Sequence, residues 1–176
     1  MFFNSHIATG YVAGKLLSND KLFIFLWIFS NLIPDIDGLW SKTVAGHHGI
    51  LHTPIFWLFT CLLIWLYGHL KSSDYIIKIS KIVFFGTFLH LLTDWVTART
   101  VGIKWLYPIS NTDFYLYAID PQKGNIPIYE MIINPYINFY FENKMLLISE
   151  IIINILAIFI FIKNFKYKKR SLTSIK

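Results

Sequence analysis

The amino-acid sequence predicts an all-α fold, a polytopic membrane bundle of about five helices whose ionisable side chains gather at one end. Three observations predict it. The 176 residues are 55% hydrophobic and 18% aromatic but only 15% charged, whereas an average soluble domain is roughly a quarter charged. Mean hydropathy is +0.52, which excludes a disordered chain and is high for a soluble domain. Apolar stretches recur along the chain, separated by short polar or proline-containing breaks. The length suits one domain over residues 1–176, with a basic tail over 163–176. A soluble helical bundle with a very apolar core is the competing architecture.

The first element runs from Ser5 to Leu17, with Ile7, Ala8, Tyr11, Val12 and Leu16 at helical spacing and Ser5 as N-cap. Met1 to Ser18 has no basic start and contains His6, so it reads as a helix rather than a signal peptide. Leu22 to Pro34 is an uncharged apolar helix. Pro34 marks its exit, because the residue before a proline is pushed out of the helical region. Asp35 to Gly49 is a loop. Thr53 to Leu70 is a long helix with Pro54 in its first turn. Lys71 to Lys81 is a polar connection, and Ile82 to Val96 the next helix. Thr97 to Lys144 holds short irregular elements. Met145 to Ile162 is the last helix, ending at the basic tail. A membrane span needs about 20 apolar residues, range ~17–25. Thr53–Leu70 and Met145–Ile162 meet this; the other segments are marginal.

If the five segments alternate in direction, Lys15, Lys21, Lys71, Lys78, Lys81 and six C-terminal basic residues share one side. That side carries 11 basic and two acidic residues, against five basic and eight acidic on the other. The positive-inside rule makes the first side, with the C-terminus, cytoplasmic. The net charge of +6 therefore reflects membrane orientation, and no nucleic-acid partner is expected.

The same alternation groups the chemistry on the extracytoplasmic side. His6 begins the first helix, Asp35 and Asp37 end the second, His47, His48 and His52 open the third, His90 and Asp94 end the fourth, and Glu150 opens the fifth. His69 alone lies at the other end. His90 and Asp94 are spaced i, i+4, on one helix face, inside an apolar helix where ionisable groups are costly and default to function. His48 and His52 are also i, i+4, and His47 and His52 are i, i+5; spacing alone does not choose between His47 and His48. Mixed imidazole and carboxylate donors suit zinc, and also manganese or iron. Seven or eight donors exceed one zinc site, so two divalent ions are expected, activating a water for hydrolysis. The single cysteine, Cys61, lies in an apolar run and excludes a disulfide framework. No HExxH helix, GxSxG elbow or P-loop occurs, which removes zincin, serine hydrolase and NTPase readings.

The runs HIATGYVAG, NLIPDID, GHHGILHTP, FGTFLHLLTDWVT and GIKWLYPIS, in this order, resemble the YdjM-like family of inner-membrane, metal-dependent hydrolases. A more distant likeness is to zinc-dependent phospholipase C. The match covers roughly residues 5–110, plus Glu150. It implies a bacterial-type inner-membrane location and metal-dependent hydrolysis, and leaves the substrate open. Carried over by position, it implies His6, Asp35, His47, His52, His90, Asp94 and Glu150 as metal ligands, with Asp37 and His48 in catalytic roles. The family's arginine is replaced by His48, its threonine by Leu51 and its serine by Thr53. His48 either substitutes for the arginine or is itself the ligand, in place of His47. A loop over Gly102–Ser110 is expected to line the site.

Trp95, Trp105, Tyr107, Tyr115 and Tyr117 follow the fourth helix, and amphipathic aromatics are enriched at membrane interfaces. They are candidates to anchor this loop among headgroups, with core packing as the alternative. The expected function is hydrolysis of a phosphoester in a membrane lipid or lipid-linked substrate. A non-enzymatic membrane protein, a metal transporter or structural envelope partner, is the alternative. A transporter needs polar groups near mid-membrane and on both sides, whereas these lie on one side.

Overall fold

In a computed structural model, which describes residues 2–127, 130, 141 and 144–173, the chain is helical. Among these residues no strand forms; two isolated bridges, Thr43 to Pro127 and Ile103 to Phe114, tie the long loop together. Helix α1 spans Phe3–Leu17. It starts ahead of Ser5, which is therefore not its N-cap. Ser5 is buried within the helix and its hydroxyl donates to Glu150 Oε2 at 3.1 Å. Helix α2 spans Lys21–Ser30 and is capped by Asp20, whose carboxylate accepts from Leu22 N at 2.8 Å. The α1–α2 hairpin is antiparallel and very close. A Cβ on Gly10 would lie 2.8 Å from Ile28 Cα and Trp27 O, and one on Gly14 3.0 Å from Ile24 Cα. Gly10 and Gly14 thus form a small-xxx-small contact that lets two backbones approach.

Helix α2 ends at Ser30, not at Pro34. The Ser30 hydroxyl bonds back to Leu26 O at 2.6 Å, and the chain bends by 50° into a 3-10 segment, Ile33–Leu39. Pro34 sits in the first turn of that segment, where its missing N–H costs nothing. The expected loop is therefore partly ordered, with further 3-10 turns at Ala45–His47 and Ile50–His52. Helix α3 spans Pro54–Leu70 with Pro54 in its first turn, as expected.

Helix α4 spans Asp74–Val96 and absorbs most of the expected polar connection. Ser73 caps it by accepting from Ile76 N. Ser80, within that stretch, is buried against α3, where its hydroxyl donates to Cys61 O at 2.8 Å. Helix α5 spans Lys144–Thr173 and runs on through most of the basic tail. Lysine and arginine are good helix formers and are favoured near a helix C-terminus. Residues 174–176 of the tail lie outside the described residues.

The packing order across the bundle is α3, α4, α2, α1, α5. Asp74–Val96 (mean hydropathy 1.6) and Leu146–Phe165 (2.4) are long and apolar enough to cross a membrane, and the bent pair of α2 and Ile33–Leu39 would make a third span. The fourth segment, expected to be marginal, qualifies because it starts at Asp74. The third, expected to qualify, is a shorter apolar helix of 17 residues. Ile152, Ile155, Phe159 and Phe161 of α5 are exposed, an apolar outer surface of the kind that meets lipid or a partner.

Candidate metal centre

Four elements deliver the site. The N-terminal turns of α1 carry His6, the 3-10 segment after α2 carries Asp35 and Asp37, the turns before α3 carry His47, His48 and His52, and the last turns of α4 carry His90 and Asp94. Because α1 to α4 alternate in direction along the chain, with the packed pair α2 and α4 running parallel, these ends converge.

Two groups of donors result, and within each the donor atoms lie within 4.8 Å of one another. The first is His6, Asp35, His90 and Asp94. His90 Nε2 is 3.0 Å from Asp94 Oδ2 and 3.5 Å from Asp35 Oδ1. His6 Nε2 is 3.1 Å from Asp94 Oδ1 and 3.8 Å from Asp35 Oδ2, and its ring stacks on His90 at 4.0 Å. The second group is His47, His48 and His52. His52 joins the two: its Nε2 lies 3.3 Å from His90 Nε2 and 3.5 Å from Asp35 Oδ1. Asp35 is central, because His47 Nδ1 also approaches its Oδ1, at 3.9 Å.

The polar bookkeeping fits a cation. His90 Nδ1 donates to the Asn31 carbonyl at 2.8 Å. A carbonyl only accepts, so this bond puts a proton on Nδ1 and turns Nε2 toward the carboxylates, the way a backbone carbonyl usually orients a metal-binding histidine. His6 is fully buried, yet neither ring nitrogen has an aligned hydrogen bond, and the same holds for His52 Nδ1, His48 Nδ1 and Asp37 Oδ2. Buried polar atoms without partners are costly. Three carboxylates, Asp35, Asp37 and Asp94, also need compensating positive charge at this depth. Protons on the histidines or a bound divalent ion supply it, and the two compete. Burial opposes protonation of His52, but Asp35 and Asp37 outweigh it and raise its pKa to about 9. Burial, with His52 and His47 beside it, holds His48 well below the ordinary histidine value.

Asp37 lies against the second group, its Oδ1 accepting from His47 Nδ1 at 3.2 Å and its Oδ2 3.3 Å from His52 Nδ1. Glu150, expected among the ligands, lies outside both groups. It is buried in an ion pair, Arg99 Nη2 to Glu150 Oε1 at 2.6 Å. A guanidinium at hand satisfies that carboxylate without a metal. His69 stands on the last turn of α3, edge-on to Trp65 at 4.1 Å. Trp95 and Trp105 pack against the buried Trp57, Leu91 and Ile103, so core packing accounts for them, whereas Tyr115 and Tyr117 are exposed.

Two residues that hold the site together did not stand out in the sequence. Asn31 follows an apolar helix, and its side-chain amide donates to Gly86 O at 3.2 Å while its carbonyl holds His90. Arg99 is one of only two arginines in a lysine-rich chain, the signal by which it stands apart. A small cleft opens onto the cluster, lined by Asp35, His47, His48, Asp94 and Arg99 among others. The expected lining loop, Gly102–Ser110, is not part of its wall.

Compared with known proteins, residues 1–167 match a family model described as YdjM inner membrane protein. No curated protein and no solved structure gives a match.

Proposed function

The chain belongs to the YdjM inner membrane protein family, and from this premise and the cluster's geometry we propose that it is a membrane-bound, metal-dependent hydrolase cleaving a phosphoester in a lipid or lipid-linked substrate. The observation that carries the reading is Asp35. One carboxylate faces four histidines from three separate parts of the chain, at 3.8 Å (His6), 3.9 Å (His47), 3.5 Å (His52) and 3.5 Å (His90). Two adjoining donor groups favour two ions, and their imidazole and carboxylate character favours zinc, then manganese or iron. When bound, such ions supply Lewis acidity toward a phosphoryl oxygen and a lowered pKa for coordinated water.

The chain's own residues divide the remaining work. Asp37, engaged with His47 and His52, orients those rings. His48 lines the cleft and, neutral at pH 7, is placed to accept a proton. The helix ends opposite the cluster carry Lys15, Lys21, Lys71, Lys78 and Lys81, which supports an extracytoplasmic site under the positive-inside rule. The likeness to zinc-dependent phospholipase C is consistent with this chemistry and rests on the motifs alone.

Purified protein reconstituted with mixed phospholipid vesicles tests the reading. Headgroup release should stop on chelation and return with added zinc. No release from any phospholipid by metal-loaded protein would overturn it. Ion uptake should also release protons. Below about pH 9 the His52 proton competes with the ion, so apparent affinity should climb as pH rises toward 9. Calorimetry at pH 7.5 in buffers of different ionisation enthalpy should find about one proton released per His52 ligated. In the ion-free protein the sign is opposite. The raised pKa contributes stability that is complete below 6.5 and is lost as pH passes 9.

A further inference from the structure

We propose that Arg99 is the phosphate-binding residue of the cleft and that Glu150 holds it in place. The proposal rests on the hydrolase reading and deepens it by naming the group that receives the substrate's oxyanion. Arg99 follows the C-terminus of α4 and lines the same cleft as Asp35, His47, His48 and Asp94. Among the described residues lining that cleft it is the single lysine or arginine.

The side chain is held from several directions. Glu150 of α5 accepts from Nη2 at 2.6 Å and is itself fixed by the Ser5 hydroxyl of α1 at 3.1 Å and by the N–H of Phe2, just before α1, at 3.4 Å. The guanidinium lies over the Phe2 ring at 4.9 Å, and Phe2 also lines the cleft. The Arg99 carbonyl accepts from Asp120 N at 2.7 Å. Only 8% of the residue is exposed. A buried ion pair returns little net stability compared with apolar packing, so a fixed arginine in the lining of a cleft points to recognition. A planar fork of donors can serve a carboxylate along one edge and an oxyanion along another, and it matches phosphate geometry.

Asp35 and Asp94 share the cleft and repel an anion, so binding should need the divalent ions that offset them. The ligand chemistry is a tetrahedral phosphate oxyanion, carried by a lipid headgroup or free in solution.

The test uses the full zinc-loaded chain in detergent, with inorganic phosphate as probe. Arg99→Lys keeps the charge and the ion pair but loses the fork. The double variant Arg99→Gln with Glu150→Gln keeps a neutral buried pair in case the single change disturbs folding. Phosphate affinity should fall about tenfold in the double variant and by a smaller factor in the lysine variant, with zinc content and unfolding temperature of the lysine variant unchanged. Affinity within twofold of the parent in both, at full zinc content, would overturn the proposal. A merely structural Arg99 would lower the unfolding temperature without this graded loss. Short-chain phosphatidate competing better than inorganic phosphate identifies a headgroup as the source, equal competition identifies free phosphate, and both support the anion site. If the parent binds phosphate through Arg99 but hydrolyses no lipid, the anion site stands and the hydrolase reading fails. If it hydrolyses lipid with unchanged KM and phosphate affinity in both variants, the reverse holds.

Discussion

The Asp35→Ala variant is expected to lose metal binding, with apparent affinity falling by at least about 100-fold, more than the roughly 10–100-fold typical of changes to residues that only orient the ligands. Asp35 reaches four histidines across both donor groups. Its Oδ1 lies 3.5 Å from His52 and His90 and 3.9 Å from His47, and its Oδ2 lies 3.8 Å from His6. Asp94 serves the first group and reaches the second at His52, at 3.7 Å, while Asp37 lies against His47 and His52 of the second, so neither takes the place of Asp35. Asp35 is partly exposed, with 20% of its side chain accessible, so its removal leaves no large cavity. The fold should survive while the metal is lost. His90→Ala should behave alike, because it removes the ring that the Asn31 carbonyl orients. Asp37→Asn should retain the ion with an affinity lower by about 10–100-fold, as for an outer-shell partner. Elemental analysis of the purified variants reads all three. Full metal content in both Asp35→Ala and His90→Ala would remove the centre from consideration.

What the sequence made legible follows from where its information is local. His90 and Asp94 at i, i+4 in an apolar helix need no tertiary knowledge, and they fall on one face as expected. Pro54 set the start of α3 for the same reason. The convergence of His6, Asp35, His52 and His90 required only that helices alternate. Several misses depended on partners distant in sequence. Ser5 looks like a cap until Glu150, 145 positions away, accepts its hydroxyl. Ser80 looks like part of a polar turn until Cys61 accepts its proton. Glu150 looks like a ligand until Arg99 is found beside it. Gly10 and Gly14 are the exception, since their i, i+4 spacing is itself the signature of a close helix crossing.

That dependence on crossings predicts a second large effect, at a residue that touches no ion. Replacing Gly86 with alanine should destabilise the protein by about 1–3 kcal/mol, and with valine by more, and both should weaken metal binding. In an uncrowded helix the sign would be opposite, since Gly→Ala is worth roughly 1 kcal/mol of helix propensity. Here a Cβ would lie 2.0 Å from Ser30 Oγ and 2.7 Å from Ser30 Cβ. Ser30 is almost fully buried and bonded back to Leu26 O and Trp27 O, so it cannot turn aside without giving up those bonds, and α2 must move away from α4. The consequence travels one residue along the chain. Asn31 spans the same crossing, its side chain on Gly86 O at 3.2 Å and its carbonyl on His90 Nδ1 at 2.8 Å. Separating the helices takes the carbonyl off His90 and shifts the Ile33–Leu39 segment that carries Asp35 and Asp37. Ser30→Gly in the Gly86→Ala background should restore much of the stability and the metal, because it removes the opposing atoms. Gly38→Ala is the control: a Cβ there meets nothing within 4 Å and should leave both readouts unchanged. Thermal unfolding and metal content of these variants decide the matter. A Gly86→Ala protein as stable and as fully metallated as the parent would mean that the α2–α4 crossing does not set the geometry of the centre.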